Sequence, residues 1–596
     1  MTLGNDAREE PAEVLVAGAG PVGLTMAHEL ARWGVRVRLV DAREGPATTS
    51  RAIATHPRTL EVYDQMGIVE DILPRGRRIT SFTMYQRGRR LTRLEADYAE
   101  TPTRFPFTIA IDQVTTEETL RAAAARRGVA VEWGVRLDGF EQHAGGVRAK
   151  LVRPDGTVEH AETPWLVGCD GGHSTVRKLL GLPLLGESSE TWLIADAQVE
   201  TDLPRDSIYW VRCPGVTMMT VPMIEPGRWR LLDTAAVEHD PDPAAVARRF
   251  GSLITAGVGS AFHVAEPSWI SVFTFQQRMA PRMREGRCLV AGDAAHVHSP
   301  ASGQGMNTGV QEAFNLAWKL AMVVHGQAGE ELLDSYGEER VPVGRTLLAS
   351  TKRATRLIQL RNPVLAGLLP VVFAVLRAVP RLRVRMQRAI LGGVSGLGLH
   401  YASGSLTTPS GDAASGPGPR GPSGGAASGP GQGERVAQAD AARAADPAWR
   451  AVLAELRDPR WTLLTYTGGP RDAFGAVAAE ADARYGAWLS VRTMSPRPGS
   501  GLPNPLPPGP GVPGLLAPVE GHWLLIRPDG YLAARGEALT ADALAVALAR
   551  LPLTPNALGT TPTQAPDALG VMPAGAPLTP RVRGGRESES PSAGAR

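Results

Sequence analysis

Three stretches of this sequence combine glycines with a carboxylate at spacings that suit a nucleotide ligand. The first is Gly18-Ala-Gly20-Pro21-Val22-Gly23, which follows the apolar run Val14 to Ala17 and precedes a second such run ending in Asp41. Gly18 permits a tight turn, Gly20 lets the backbone approach a pyrophosphate, and Gly23 lets a helix lie close to its strand. Asp41, about 20 residues further on, can accept hydrogen bonds from ribose hydroxyls. The second stretch is Asp170-Gly171-Gly172-His-Ser174, a carboxylate with bare backbone behind it. The third is Gly292-Asp293 with Gly303, Gly305 and Gly309, where N–H groups can come close to a planar or anionic ligand.

Each constellation needs a strand in front of it and a helix behind it. Cys288 to Ala291 is a short apolar run suited to a buried strand, so Gly292-Asp293 falls at the carboxyl edge, where open α/β sheets bind ligands. Val310, Phe314, Ala317, Trp318 and Ala321 recur at helical spacing, which predicts a helix opening on the glycine loop with one packed face. Ser174 can cap a helix that turns Val176, Leu179 and Leu180 inward. Thr115 or Thr116 can cap another within Ile111 to Gly128, with Glu117 and Glu118 in its first turn. A strand, the glycine motif, a helix and an acidic residue in this order predict dinucleotide binding, without separating FAD from NAD. A short-chain nicotinamide dehydrogenase is disfavoured, because none of the nine tyrosines is followed four residues later by lysine.

The motifs GDAAH, SP, GQGMNTG and NLAWKL between Gly292 and Leu320 resemble the third fingerprint of the single-component FAD-dependent aromatic hydroxylases. Residues 165–181 resemble that family's second fingerprint, and the similarity runs from about residue 12 to 400. The resemblance implies a para-hydroxybenzoate-hydroxylase-like α/β fold: a Rossmann-like FAD domain with an inserted, mostly antiparallel sheet that builds the substrate pocket. It also implies that Asp293 holds ribityl or ribose hydroxyls, and that Pro300 and Gly303 to Asn307, with Gly305 and Met306 among them, lie against the flavin ring. Arg51 would reach the FAD pyrophosphate and Gln113 the phosphate region, and Arg43 is a further cofactor-binding candidate. Asp170 would serve both FAD and the path of the nicotinamide cofactor. Asp41 stands where a glutamate is commoner in the family.

The implied reaction consumes NADPH or NADH, with NADPH favoured, and O₂. A flavin hydroperoxide passes an oxygen atom to a phenolic or polyketide-type ring, and no protein group is assigned as a general base. No second strand-GxGxxG-helix unit follows to house the nicotinamide, a pattern that resembles the hydroxylases that dock it transiently. A flavin halogenase is the enzymatic alternative, but no tryptophan context carries Trp-x-Trp-x-Ile-Pro. Baeyer–Villiger chemistry and a non-catalytic flavoprotein scaffold are the other readings.

The chain of 596 residues allows two or three domains. Its 63 basic and 60 acidic residues leave a net charge of +3, too small a field for nucleic-acid binding. Cys169, Cys213 and Cys288 lack any CxxC spacing, which argues against disulfides and thiolate zinc and fits a cytoplasmic protein. His296 and His298 have no third ligand nearby, so no metal site is expected. Asn362 to Leu376 is apolar but broken by Pro363 and Pro370 and shorter than the roughly 17–25 residues of a span, so it reads as a buried or partly amphipathic helix.

The expected organisation is a disordered stretch at 1–12 and an FAD-binding region at 13–400. Within the latter, residues 13–78, 108–181 and 280–400 form the FAD domain, and 79–107 and 182–279 the substrate domain, with Trp210, Met218, Met219, Phe273 and Phe275 as candidate lining. Residues 401–434 form a Gly/Ser/Pro linker. Residues 435–552 resemble the thioredoxin-like domain of the phenol and polyketide hydroxylase branch, but contain no cysteine, so packing or homodimer contacts are its expected use. A disordered tail is expected at 553–596.

Overall fold

A computed structural model describes residues 11–559, apart from 50–51, 96–100, 214, 236–240, 299–302, 360–362, 380, 383–384, 386–391, 403, 408–429, 469–471, 497–503, 508 and 510. Its organising element is a six-stranded sheet in the order Arg284–Glu285, Cys288–Val290, Trp165–Gly168, Val14–Ala17, Val37–Asp41, Val131–Trp133. All neighbours are parallel except the short Arg284–Glu285 edge. Val14, Val16, Leu166, Val167, Leu289 and Val290 are each at most 1% exposed, as expected of parallel strands covered on both faces. Ala17 pairs with Gly168 and Val40, and Gly168 pairs with Val290, so the three motif-bearing chains leave the sheet at one level.

A second sheet runs His296–Val297, Trp269–Met279, Leu185–Thr201, Arg228–Asp233, Val216–Pro222, Ser207–Cys213, Ser81–Gln86, Arg89–Glu95. Its pairings are antiparallel except that of Ser207–Cys213 with Ser81–Gln86. Side chains alternate between its faces. Leu193, Ala195, Val211, Met218 and Leu231 pack under the helix Pro243–Val258. Ile194, Ile208, Met219 and Leu232 cluster on the opposite face with Ile53, Trp192 and the partly buried Trp210 and Phe273.

The helix Pro243–Val258 interrupts the mostly antiparallel sheet expected across 182–279. Asp242 starts it by accepting from Ala244 and Ala245 N–H, Pro243 occupies the first turn, and Gly259 ends the helix at φ +83°. The helix Gln113–Arg126 is likewise capped by Asp112, whose Oδ1 accepts from Thr115 N at 2.7 Å, and not by Thr115 or Thr116.

Towards the carboxyl end, Trp461–Tyr466 pairs in parallel with Leu489–Met494 across the helix Ala473–Tyr485, then antiparallel with Trp523–Ile526, which pairs with Leu532–Gly536. One face of this sheet, with Trp461, Leu463 and Leu525, shares the main core, and Trp461 meets Trp318 edge-on at 5.5 Å. The expected linker and tail are partly built into this packing. Tyr401 N–H donates to Gly433 O, Gly433 N–H to Leu532 O, and Trp488 Nε1 to Ala557 O. Backbone pairing at these points outweighs the polar composition that suggested disorder. The linker's centre and the tail beyond residue 559 lie outside the described residues.

A buried ionic cluster locks these parts together. Glu339 accepts from Lys319 Nζ at 2.8 Å, from Arg527 Nη2 at 2.9 Å and from Asn315 Nδ2 at 2.8 Å, while Arg527 also grips Asp529. All four charged residues are at most 4% exposed. Burial pulls Lys319 down to about 8, although Glu339 opposes the shift. Glu339→Gln should therefore strand Lys319 and Arg527 without their shared counter-charge and cost about 3–5 kcal/mol. Denaturant melts of the two proteins measure this, and a change below about 1 kcal/mol would refute the cluster's role.

Candidate functional site

The glycines of the first motif divide by what surrounds them. Gly18 has φ +102°, and a methyl group on it would overlap the Cys169 carbonyl. On Gly23 the overlap would be with the Gly18 carbonyl, so both are required by the chain's own packing. Gly20 has ordinary extended backbone, and a Cβ there meets nothing within 4 Å. The absence of a side chain at Gly20 thus keeps space open in front of the helix Pro21–Arg32, whose first N–H groups are free to face an anion.

Asp41 ends its strand beside this turn. Its Oδ2 accepts from Ala19 N at 2.7 Å, its Oδ1 from Arg43 N at 2.8 Å, and the Arg43 guanidinium closes on both oxygens at 3.0 Å. Arg43 also lies 3.7 Å from Glu117, which accepts from Gln113 Nε2 at 2.8 Å. Asp41, Arg43 and Gln113 are therefore linked through Glu117 in one polar chain beside the turn. Burial raises Glu117, with Gln113 and Arg43 opposing the shift.

Asp170 leaves the neighbouring strand and caps the short helix Thr175–Leu179, its Oδ2 accepting from Thr175 N at 2.6 Å and Val176 N at 3.2 Å. Its Oδ1 is buried without a hydrogen-bond partner among the described residues. Such an orphaned carboxylate oxygen fits a donor supplied by a ligand. Ser174 Oγ accepts from Arg177 N at 3.0 Å, as the sequence predicts. The Arg177 side chain then crosses to the third motif and donates to Ala294 O at 3.1 Å.

In that third motif Gly292, at φ +62°, and Gly309 both press on Val22, where an added Cβ would fall 2.7 Å and 2.5 Å from its side chain. Val22 of the first motif is thereby clamped by two glycines of the third. Asp293 stands exposed between buried Gly292 and Ala294, its carboxylate turned outward. Beyond it begins the helix Gly305–Val324, with the His298 ring packed beside Gly305.

Sequence reasoning missed the groups that hold this turn. Glu312, fully buried, accepts from Gly292 N at 2.9 Å and pairs with His296 Nε2 at 2.7 Å. Burial alone would lower the His296 imidazole, but the Glu312 carboxylate reverses this and raises it. Glu312 lies on the side of the helix opposite Val310, Phe314 and Ala317, so the apolar spacing gave no signal of its burial. Asn307, assigned to the flavin ring by resemblance, spends its side chain on backbone: Oδ1 accepts from His56 N, and Nδ2 donates to Ala54 O and Gly303 O. It thereby positions the loop. Arg51 and Pro300 lie outside the described residues, as does the Phe275 side chain. Among the described residues no group of three or more His, Cys, Asp or Glu could hold a metal ion.

These contrasts give a test. Gly20→Val should leave the melting temperature of flavin-free protein unchanged and weaken FAD binding at least tenfold, whereas Gly23→Ala should destabilise the flavin-free protein itself. Calorimetry and flavin titration of both variants separate the two; equal behaviour would refute the distinction.

Residues 11–351 match the model of the FAD binding domain family. The chain is 48% identical over 543 residues to 6-methylpretetramide 4-monooxygenase of Streptomyces rimosus, covering 91% of this chain and 94% of that protein. It is 37% identical to a rifampicin monooxygenase of Streptomyces venezuelae over 58% of this chain and 71% of the relative. The solved structure of OxyS anhydrotetracycline hydroxylase from Streptomyces rimosus superimposes with a TM-score of 0.66 at 29% identity, over 92% of this chain and 99% of that one. With a family match over more than half its length and a relative of this identity, the chain belongs to the FAD-binding-domain family and is an FAD-dependent monooxygenase of the aromatic hydroxylase type.

Proposed function

We infer that this enzyme hydroxylates a fused-ring aromatic polyketide, with NADPH as electron donor and O₂ as the oxygen source. The observation that carries the reading is the single level at which Ala17, Gly168 and Val290 leave the parallel sheet, since it gives three glycine–carboxylate loops one common edge. Relatives named for 6-methylpretetramide and anhydrotetracycline support a multi-ring substrate. When bound, FAD supplies the redox and oxygen-activating chemistry. Gly18 to Gly23 would take its pyrophosphate, Asp41 and Arg43 its adenosine end, Asp170 and Asp293 its hydroxyls, and the N–H groups of Gly305 and Met306 would hold negative charge on its ring.

The substrate would lie against the face of the second sheet bearing Trp210, Met219 and Phe273, because these share an apolar cluster with Ile53 and Ala110, which belong to the proposed FAD domain. Met218, on the opposite face under the Pro243–Val258 helix, drops from the lining set. Arg230, held bidentately by Asp196 and donating to Ala52 O at 3.1 Å, ties that face to the loop before Ile53. These side chains orient a planar ring system and exclude water; proton transfers at the substrate are assigned to no side chain.

At the carboxyl end, two parallel strands with a helix between them, followed by an antiparallel pair and a helix, support a thioredoxin-like core. Without cysteines its role is to pack, here through Arg527 and Asp529, and a cytoplasmic setting suits the three free thiols.

Purified yellow protein should oxidise NADPH several-fold faster when a tetracyclic phenolic polyketide is added, and mass spectrometry should find the product heavier by one oxygen atom. NADPH oxidation without an oxygenated product for any aromatic substrate would overturn the reading. Asp293→Asn should weaken FAD binding about 10–100-fold through loss of a charged acceptor. Fluorescence titration of the flavin-free protein measures this, and unchanged affinity would remove Asp293 from the site.

A further inference from the structure

The helix Pro363–Ala378 is apolar nearly all round, a composition that ordinarily signals burial. Instead Leu368, Val371, Val372 and Val375 are 48–59% exposed, and their spacing of three, four and seven residues places them on one stripe. Val379 and Leu382 continue it, so six of the twelve exposed large apolar side chains among the described residues fall within this segment. Of the two expectations for this segment, a buried or a partly amphipathic helix, the exposure excludes the first. Scattered exposed apolar residues mean little, whereas a continuous patch marks an interaction surface.

Charge decides between the surfaces that could cover it. From Arg361 to Gly411 the chain has six arginines and neither aspartate nor glutamate. Arg381 and Arg385 are exposed directly beyond the apolar stripe. The helix also packs against the edge strand Arg89–Glu95, where the hairpin at Gly88 exposes Arg87, Arg89 and Arg90. The one acid of that strand, Glu95, is already paired with Arg93 at 2.7 Å. A second copy docking symmetrically would bring this arginine rim against itself. An anionic surface with an apolar interior would satisfy both the rim and the stripe.

We propose that the Pro363–Ala378 helix, with Arg381 and Arg385 beyond its end and the exposed Arg89 and Arg90 on the strand it packs against, docks the enzyme on an anionic lipid bilayer. The helix would lie in the interfacial plane. Its 16 residues reach about 24 Å at 1.5 Å each, short of the roughly 30 Å hydrocarbon core, and no helix of the described residues is long and apolar enough to cross. Because the helix lies on the edge strand of the sheet proposed to hold the substrate, docking would bring that edge to a surface into which apolar ring systems partition.

The test is co-sedimentation of the flavin-loaded, full-length enzyme with vesicles of equal parts phosphatidylcholine and phosphatidylglycerol, against vesicles of phosphatidylcholine alone. Binding should favour the anionic vesicles at least tenfold and fall steeply with added salt. Arg381→Glu with Arg385→Glu, and separately Val371→Ser with Val375→Ser, should each weaken it about tenfold or more while leaving flavin content unchanged. The absence of binding to anionic vesicles, equal binding to both kinds, or binding that neither double variant alters would each overturn the proposal. So would a dimer in light scattering that the valine variant dissolves, since it would assign the stripe to a second copy.

Discussion

The register of four parallel strands is the constraint on which the rest depends. Hydrogen bonding sets Ala17 opposite Gly168 and Val40, and Gly168 opposite Val290. Any single strand displaced by one residue would turn every side chain to the other face of the sheet and carry its loop to a different height. Both faces of these strands are buried, so such a slip would force Val14, Leu15 and Val16 to repack against the opposite layer and is strongly opposed. Sheet pairing thus converts three motifs separated by more than a hundred residues into one edge.

Side chains and missing side chains then fix the loops above that edge. Val22 between Gly292 and Gly309 joins the first motif to the third, and Arg177 reaching Ala294 joins the second to the third. Glu312 holds the turn from beneath through Gly292 N–H and His296. What these contacts leave unused is informative: the outward carboxylate of Asp293, the orphaned Oδ1 of Asp170, and the open space at Gly20.

The carboxyl-terminal region is held to this frame by charge as well as by apolar packing. Arg527 and Asp529 engage Glu339 and Asn315 in a volume with almost no solvent, and Trp461 seats against Trp318 on the helix that begins at the third glycine loop. Buried charges add little net stability but penalise any arrangement that separates them. The NLAWKL helix, the Glu339–Arg340 segment and the RPDG turn at Arg527 are three sequence motifs serving this single junction.

Local sequence was sufficient for the strand–glycine–helix units, the Ser174 cap and the three motif carboxylates, because turn geometry and capping depend on neighbours within a few residues. It also contained the Asp-Pro start and glycine end of the Pro243–Val258 helix, which the surrounding β-rich composition obscured. It did not contain the roles of Glu312, Arg177, Asn307 or Glu339, whose partners lie from 4 to 253 residues away. Nor could it divide Met218 from Met219 or distinguish a packing glycine such as Gly23 from an open one such as Gly20. Residue type and spacing therefore determined which chemistry this chain can support. Tertiary structure alone decided which of those groups are consumed in holding the fold and which remain for a ligand, because a side chain's partners are set by what the folded chain brings within hydrogen-bonding or van der Waals reach.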